Sequence, residues 1–242
     1  MSRKFTPIVA AIAFVAMTSG ASALTIDSYD AFQGLNTSGG ASSSSVSDGS
    51  ILGTEREISI TPISGTASSV TVNSGTNPGQ ISFANGVGSQ SSVEILYDGV
   101  GTGGFAATDF TSGGADDRFL FNVKFADFTM NLTMEVTSAG GAVSEVSIGT
   151  PAPAFGDIPF GILYSSFTTQ AGASGAADFS AIESLKMTFD TTVALTDLRL
   201  DFLSTADVTE IPPEVSEPGT MAIFSLALIG MAGYRRRLLK TA

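Results

Sequence analysis

A strict alternation of apolar and polar residues in the middle of the chain constrains its fold more than any other feature. One side of "ADFTMNLTMEVTSAGG" is apolar and consists of Phe128, Met130, Leu132, Met134 and Val136. Successive side chains of an extended chain point to opposite faces, so a period of two is the period of a β-strand. The segment predicts a long strand with one buried and one solvated face, followed by a hairpin turn at Gly140 and Gly141.

The same alternation recurs towards the end of the chain, and short apolar runs separated by turn residues precede it. Leu185, Met187 and Phe189 are predicted to share one face, as are Leu198, Leu200 and Phe202. Further strands are predicted at residues 24–29, 57–63, 69–73, 80–84, 93–97, 118–125 and 160–167. About ten short strands without an amphipathic helix between them predict a single antiparallel β-sandwich, jelly-roll-like in type.

The first residues have the three parts of a secretory signal peptide. Arg3 and Lys4 are basic, residues 8–17 are apolar, and Ala21 and Ala23 form a small-x-small pattern. Signal peptidase accepts this pattern, so we expect a signal helix in residues 1–23 and cleavage between Ala23 and Leu24. A retained membrane anchor is the alternative, but the apolar stretch is short for one.

Charge and composition exclude several classes of function. All 23 acidic residues but only five of the 11 basic residues lie between Leu24 and Glu217, so this segment is more acidic than the whole chain, whose net charge is −12. Such a field repels nucleic acid. The chain has no cysteine and no histidine, which excludes disulfides and a conventional serine–histidine–aspartate triad.

Composition also divides the chain into segments. Residues 24–206 are predicted to form the sandwich domain, with a mobile loop near residues 36–50, where the sequence reads "NTSGGASSSSVSDGS". Residues 207–216, "DVTEIPPEVS", are acidic and rich in proline, which disfavours helices and central strands. They are predicted to be an extended linker.

Loop carboxylates are the candidate ligands for a cofactor, a structural calcium ion. Asp98, Asp109, Asp116 and Asp117 lie in or beside loops that flank two predicted strands. Calcium prefers six to eight oxygen ligands, which such a cluster could supply. Solvated loop acids are the alternative. The glycines of "GVGTGG" imitate a dinucleotide-binding motif, but no helix is predicted after them, so we interpret them as a loop.

Sugar binding is a second candidate function of the predicted sandwich. Tyr97 and Tyr164 are the candidates for stacking on a sugar, because the chain has no tryptophan and most phenylalanines fall on predicted core positions. Packing in the core is the alternative for both tyrosines. A glycoside hydrolase would need two paired carboxylates, and those of this chain are too many and too dispersed to choose between. No catalytic residue is predicted.

The last 26 residues contain a turn, a short apolar segment and a basic tail. Glu217, Pro218 and Gly219 precede an apolar run at residues 221–234, which is followed by Arg235, Arg236, Arg237 and Lys240. As a helix the run would be about 21 Å long, short of the roughly 30 Å core of a bilayer. We predict a transmembrane helix that anchors the chain transiently, with its basic end in the cytoplasm.

This tripartite pattern resembles the PEP-CTERM sorting signal of exported bacterial proteins. Glu217 and Pro218 match its Glu-Pro motif, whereas Ser216 replaces the usual first proline. The resemblance implies recognition by the membrane enzyme exosortase, cleavage near Glu217-Pro218, and an association with exopolysaccharide and biofilm matrices. The basic residues at 235–240 would act as the stop signal.

The body of the chain is similar to an uncharacterised β-sandwich domain that recurs in such proteins. The similarity rests on "ILGTEREISI", "ILYDGVG", "DFTSGGADDRFLFNV" and "ALTDLRLDFLST", and it implies no catalytic residues. The expected function is a structural or adhesive one at the cell surface or in the exopolysaccharide matrix. A carbohydrate-binding module is the first alternative and a glycoside hydrolase the second.

Overall fold

The computed structural model describes residues 23–207 except 102 and 192. In this part of the chain, fourteen β-strands form two antiparallel sheets. The strands are β1 (Thr25–Asp27), β2 (Gln33–Ser38), β3 (Ser42–Ser47), β4 (Glu55–Ser64), β5 (Ala67–Ser74), β6 (Asn77–Asn85), β7 (Gln90–Tyr97), β8 (Arg118–Ala126), β9 (Met130–Ser138), β10 (Ala142–Gly149), β11 (Ala154–Leu163), β12 (Thr168–Thr169), β13 (Ile182–Thr191) and β14 (Asp197–Ala206). The antiparallel β-sandwich that the alternation predicts is therefore confirmed.

The two sheets share one hydrophobic core. The first sheet has the order β11-β8-β14-β6-β5-β2, with β1 also pairing with β14, and the second has the order β12-β10-β9-β13-β7-β4-β3. Phe83 of the first sheet and Phe189 of the second bring their ring centroids to 4.8 Å across the core. Burying such a side chain contributes about 2 kcal/mol, so the inward faces of both sheets stabilise the fold.

The predicted burial of individual strands is confirmed at most positions. Met130 to Val136 of β9 and Leu185, Met187 and Phe189 of β13 alternate inward and are buried. Phe128 is 48% exposed, contrary to the prediction. The reason is that β9 begins only at Met130, and the Asp127 carboxylate accepts the Phe128 amide 2.8 Å away in the preceding turn.

Strand β14 departs from the predicted alternation near its middle. Leu198 and Leu200 are buried as predicted, but Phe202 is only partly buried and Leu203 takes the next core position. The pairing with β8 shifts between Asp201 and Leu203, and Phe202 has a φ of 23°. A β-bulge therefore turns Phe202 away from the core.

The serine- and glycine-rich segment near residues 36–50 is not the loop that its composition predicts. Its residues complete β2 and form β3, the edge strands of the two sheets. The main chain of β2 pairs with β5 and that of β3 with β4. Serine in these strands leaves the ladder hydrogen bonds intact, and an edge strand tolerates its small polar side chain because it needs little packing.

The predicted segments at the two ends lie outside the described residues. These are the signal helix up to residue 22, the linker from residue 208 onward, the helix at 221–234 and the basic tail. Between residues 23 and 207, leaving aside 102 and 192, the structure has no helix of the length and apolar character that a membrane span requires.

Candidate functional site

A β-bulge in β8 determines which side chains lie on the outer face of the first sheet. Arg199 of β14 pairs with Phe125 and Leu200 pairs with Val123, so Lys124 is the extra residue in β8. The alternation resumes one residue late, with Ala126 in the core. Bulges re-aim side chains in this way. Phe125, which alternation alone would bury, is therefore directed outward.

An open groove follows from this bulge, with Arg199 at its centre. The guanidinium carbon of Arg199 lies 5.1 Å from the centroid of the Phe125 ring, within the range of a cation–π contact. Its Nη1 donates a hydrogen bond to Asn77 Oδ1 at 2.9 Å. The groove has a volume of about 340 Å³ and is lined by Asn77, Ser82, Phe83, Ala84, Phe125, Asp197 and Arg199. This is the lower end of the range for small-ligand sites.

Polar atoms beside the groove have unused hydrogen-bonding capacity. Gln80 Oε1, Ser82 Oγ and Asn122 Oδ1 are shielded from solvent and have no hydrogen-bond partner within the part of the chain that the structure describes. They lie on β6 and β8, the two strands that flank β14 along the groove. An unsatisfied buried polar group costs about 1–3 kcal/mol.

Charges of both signs alternate on this face. Lys124 Nζ forms ion pairs with Asp157 and, at 3.0 Å, with Asp201. Burial raises the pKa of the Asp197 carboxyl, and the nearby Asp127 carboxylate adds to the shift. Arg199 lies between Asp197 and Asp201 on the same face of β14. The face therefore has no excess of positive charge.

Catalytic use of these carboxylates meets two obstacles. The hydrogen bond from Lys124 lowers the pKa of Asp157, whereas a glycosidase acid needs a raised pKa. Asp197 has the raised pKa, but Asp201 lies four residues further along the same strand, at about 13 Å. Such a distance exceeds the separation of roughly 5–10 Å between the two carboxylates of glycosidases. The nearer carboxylate, that of Asp127, already accepts the Asp197 and Phe128 amides at 2.8 Å each.

A second polar cluster, around Arg56, lies inside the sandwich and connects its two sheets. Arg56 is fully buried, and its guanidinium donates to Asp27 Oδ2 at 2.6 Å, to Gln33 Oε1 at 2.9 Å and to the Ala31 carbonyl at 2.8 Å. Tyr97 donates its hydroxyl to the same carboxylate at 3.0 Å. Burial raises the pKa of the Asp27 carboxyl, and Arg56 opposes that shift. No solvent reaches this ion pair, so its role is structural.

The four predicted calcium ligands are already bound to protein donors or lie apart. Asp116 accepts from Ser112 Oγ at 2.6 Å and from Thr205, and Asp109 accepts from the Thr111 hydroxyl at 2.6 Å. Asp117 forms an ion pair with Arg118 Nε at 2.7 Å. Asp98 lies near the like charge of Glu55, and burial first and that charge second raise the pKa of the Asp98 carboxyl. Among the described residues, no group of three or more acidic side chains is arranged to hold a metal ion. The structure gives the calcium prediction no support.

Neither predicted stacking tyrosine offers a free ring. Tyr97 is fully buried, so the alternative of packing in the core applies to it and stacking on a sugar does not. Tyr164 is partly buried, and its ring stacks on Phe179 with centroids 4.4 Å apart. Its hydroxyl donates to the Phe110 carbonyl at 2.9 Å. Burial raises the pKa of this hydroxyl, and the charges of the neighbouring aspartates add to the shift. Tyr164 is a packing residue of the loops at this end of the sandwich.

Most residues of the predicted sorting and cleavage signals lie outside the described residues. This applies to Ala21, to Glu217, Pro218 and Gly219, and to the basic residues at 235–240. Leu24 lies inside, and its amide donates to Thr205 Oγ1 at 2.9 Å while its carbonyl accepts the Thr205 amide at 2.9 Å. The residue predicted to become the new N-terminus is thus fixed to the end of β14.

Sequence reasoning misses the residues that form the groove. Alternation alone assigns Phe125 to the core and predicts only that Arg199 faces water. A signal is present in "NVKFA", where the alternation runs through Phe125 and a second apolar residue, Ala126, follows it directly. Its meaning depends on the partner strand, because a bulge is defined by pairing.

The described residues thus form a β-sandwich with an open groove of aromatic and polar residues on one sheet. Residues 214–237 match the family model described as the PEP-CTERM protein-sorting motif. The chain therefore carries this sorting motif, as its resemblance predicted. The motif implies export and processing by exosortase.

Comparison with solved structures finds distant likenesses. A family 11 carbohydrate-binding module from Clostridium thermocellum, in complex with a β-1,3-1,4-mixed-linked tetrasaccharide, is 12% identical with a TM-score of 0.40, and the match covers 76% of this chain and 95% of that one. The solution structure of CtCBM11 is 15% identical with a TM-score of 0.41, over 79% and 98% of the two chains. Likenesses this distant establish neither a shared family nor a shared ligand. No curated protein matches the chain.

Proposed function

We propose that this protein is exported, is processed by exosortase, and serves a structural or adhesive role in the exopolysaccharide matrix by binding polysaccharide in the groove around Arg199. The sorting motif at residues 214–237 supports the first part. One observation carries the second part. Arg199 lies against the Phe125 ring in an open groove, beside polar atoms without partners.

The chemistry of the groove suits a sugar. A pyranose presents C–H groups that pack on an aromatic face and hydroxyls that need several hydrogen-bond partners. The part of the Phe125 ring that Arg199 and Phe155 leave uncovered supplies an apolar surface. Arg199 and Asn77 supply polar groups in the lining, and Asp197 supplies acceptors. Of the carboxylates on this surface, Asp157 has a lowered pKa and Asp127 accepts backbone amides, so binding without turnover is the proposed activity.

Substitution of Arg199 tests this proposal, with Arg118 as the matched control. Both arginines belong to the first sheet, but Arg118 pairs with Asp117 at the far end of β8. The full chain, held in a detergent without sugar headgroups, is applied to immobilised β-glucans, mannans, galactans and alginate. We expect Arg199→Ala to weaken polysaccharide binding about tenfold, the effect of losing a hydrogen bond to a charged group. Arg118→Ala should bind as the unaltered protein does.

Two results would refute the proposal. One is failure of the unaltered protein to bind any polysaccharide of the array. The other is an equal effect of the two arginine substitutions. Circular dichroism melting curves of both variants show whether the fold is retained, so that a binding loss is assigned to the groove.

A further inference from the structure

The groove belongs to a longer row of outward side chains that crosses the whole first sheet. Strand pairing places one residue of each strand at the same level. From edge to edge these are Phe155 of β11, Phe125 of β8, Arg199 of β14, Ser82 of β6, Thr71 of β5 and Gly34 of β2. Each of these six residues is next to at least one buried residue in the chain, so each position faces outward. We call this set the transverse row.

An exposed phenylalanine lies at each end of the transverse row. Phe155 is 74% exposed and packs edge-on against Phe125, with ring centroids 5.6 Å apart. At the opposite edge Phe32 is 65% exposed. Its ring lies over Gly34, because a Cβ built on that glycine would meet Phe32 Cζ at 3.5 Å. Two large apolar rings are thus exposed to water without being needed for the core.

The middle of the row is low and polar. Ser82, Thr71 and Gly34 have short or absent side chains, so the row itself contains no large side chain between Arg199 and Phe32. Six strands with five spacings of about 4.8 Å make the row roughly 24 Å long. A site of this shape accepts an extended chain of several sugar residues, with an aromatic contact at each end.

The charge of the protein favours uncharged polysaccharides over anionic ones. The one charged side chain in the transverse row is Arg199, and it lies between Asp197 and Asp201. The whole protein has a net charge of −12. A polyanion would therefore be repelled over its length, whereas an uncharged polysaccharide pays no such penalty.

We propose that the polysaccharide is uncharged and lies across the strands, along the transverse row from Phe155 to Phe32. This inference rests on the proposed function, since it assigns the direction, length and charge of the chain that the same site binds. It adds Phe32 and Phe155 as binding residues at the two edges of the sheet, beyond the lining of the groove.

The test uses acid hydrolysate, separated by size, of whichever polysaccharide of the array binds best. We expect that polysaccharide to be uncharged, and affinity should rise from disaccharide to hexasaccharide and then level off. Phe32→Ala should weaken hexasaccharide binding about fivefold, a typical aromatic contribution, and leave disaccharide binding unchanged. Phe155→Ala should act similarly. Phe128→Ala is the control, because Phe128 is 48% exposed but lies in the turn between β8 and β9.

The outcomes separate this inference from the proposed function. If Arg199→Ala weakens binding but affinity does not grow with chain length, or Phe32→Ala acts no differently from Phe128→Ala, the transverse path is wrong and the groove stands. Preferred binding of alginate overturns the charge selection. Absence of binding to the whole array refutes both. The side chains of Phe32, Phe155 and Phe128 are 65%, 74% and 48% exposed, so their loss should leave the melting temperature nearly unchanged.

Discussion

At the scale of single residues, Arg56 shows how a polar side chain can define the interior. It lies in β4 of the second sheet, whereas its carboxylate partner Asp27 lies in β1 of the first. The ring of Tyr29 lies 5.8 Å from its guanidinium carbon. The ion pair therefore fixes the position of the two sheets relative to each other at this end. The segment "GTEREISI", noted as a resemblance to a recurring domain, contains this arginine.

Replacing Arg56 tests its structural role. Arg56→Met leaves Asp27 buried without its partner, and we expect a loss of about 3–5 kcal/mol in the free energy of unfolding. The double variant Arg56→Met with Asp27→Leu should recover much of that loss, because a buried ion pair exchanged for apolar residues is often nearly neutral. Urea denaturation followed by circular dichroism measures both. An Arg56→Met variant within about 1 kcal/mol of the unaltered protein would contradict this role.

At the scale of elements, the two connections between the sheets near Gly65 stabilise each other. The chain crosses from β4 to β5 through Gly65 and Thr66, and from β6 to β7 through residues 86–89. The hydroxyl of Ser89 accepts the amides of Thr66 at 3.2 Å and Ala67 at 3.1 Å. Gly65 has a φ of 69°, and a Cβ there would meet Ser89 Oγ at 2.5 Å and the Gly88 carbonyl at 2.7 Å.

A pair of glycine substitutions separates backbone strain from this close approach. Gly140, in the β9–β10 hairpin, has a φ of 88°, but apart from its two chain neighbours no described residue has an atom within 4 Å of the position that a Cβ would take there. Gly140→Ala should therefore cost only the roughly 1–2 kcal/mol of a left-handed alanine. Gly65→Ala adds a clash with backbone atoms, so its melting temperature should fall clearly further. Equal melting temperatures of the two variants would show that the crossings are not tightly packed.

The strands also show where local pattern and structure diverge. Leu185, Met187 and Phe189 could be assigned to the core from the sequence, because β13 keeps a regular pleat from Leu185 onward. That Ala126 faces the core and Phe125 faces outward could not be assigned from the sequence. These directions follow from the pairing of β8 with β14, which is distant in the chain. Composition predicted a loop where β3 lies, and the reason is related. Pairing of the main chain with β4 holds these residues in a strand although their side chains bury little apolar surface.

At the scale of the whole molecule, both ends of the described chain lie at the same end of the sandwich. Thr25 of β1 pairs with Ser204 of β14, so the predicted cleavage site after Ala23 lies beside the exit towards the sorting motif. Arg199 lies seven residues before Ala206, or about 23 Å along β14. A sandwich tethered through its C-terminal segment would hold the groove away from its point of attachment.

The sorting motif makes a prediction about the processed protein. Alanine at both Glu217 and Pro218 should leave a membrane-retained, unprocessed chain, because these residues match the Glu-Pro element of the signal. Alanine at Glu210 and Pro212, in the predicted linker outside the matched residues, is the control and should be processed normally. Intact-mass spectrometry of the cell-associated and released protein measures both. Normal release of the first variant would exclude processing at Glu217-Pro218.

The sequence by itself determined the β-sandwich class and the sorting motif. The pleat has a period of two that neighbouring residues reveal, and a sorting signal is a linear pattern that requires no fold to be recognised. Only the tertiary structure decided that Arg56 lies inside, that Phe125 faces outward, and that Arg199 and the two exposed phenylalanines share one row. These positions depend on strand register and on bulges, which arise from pairing between segments far apart in the chain.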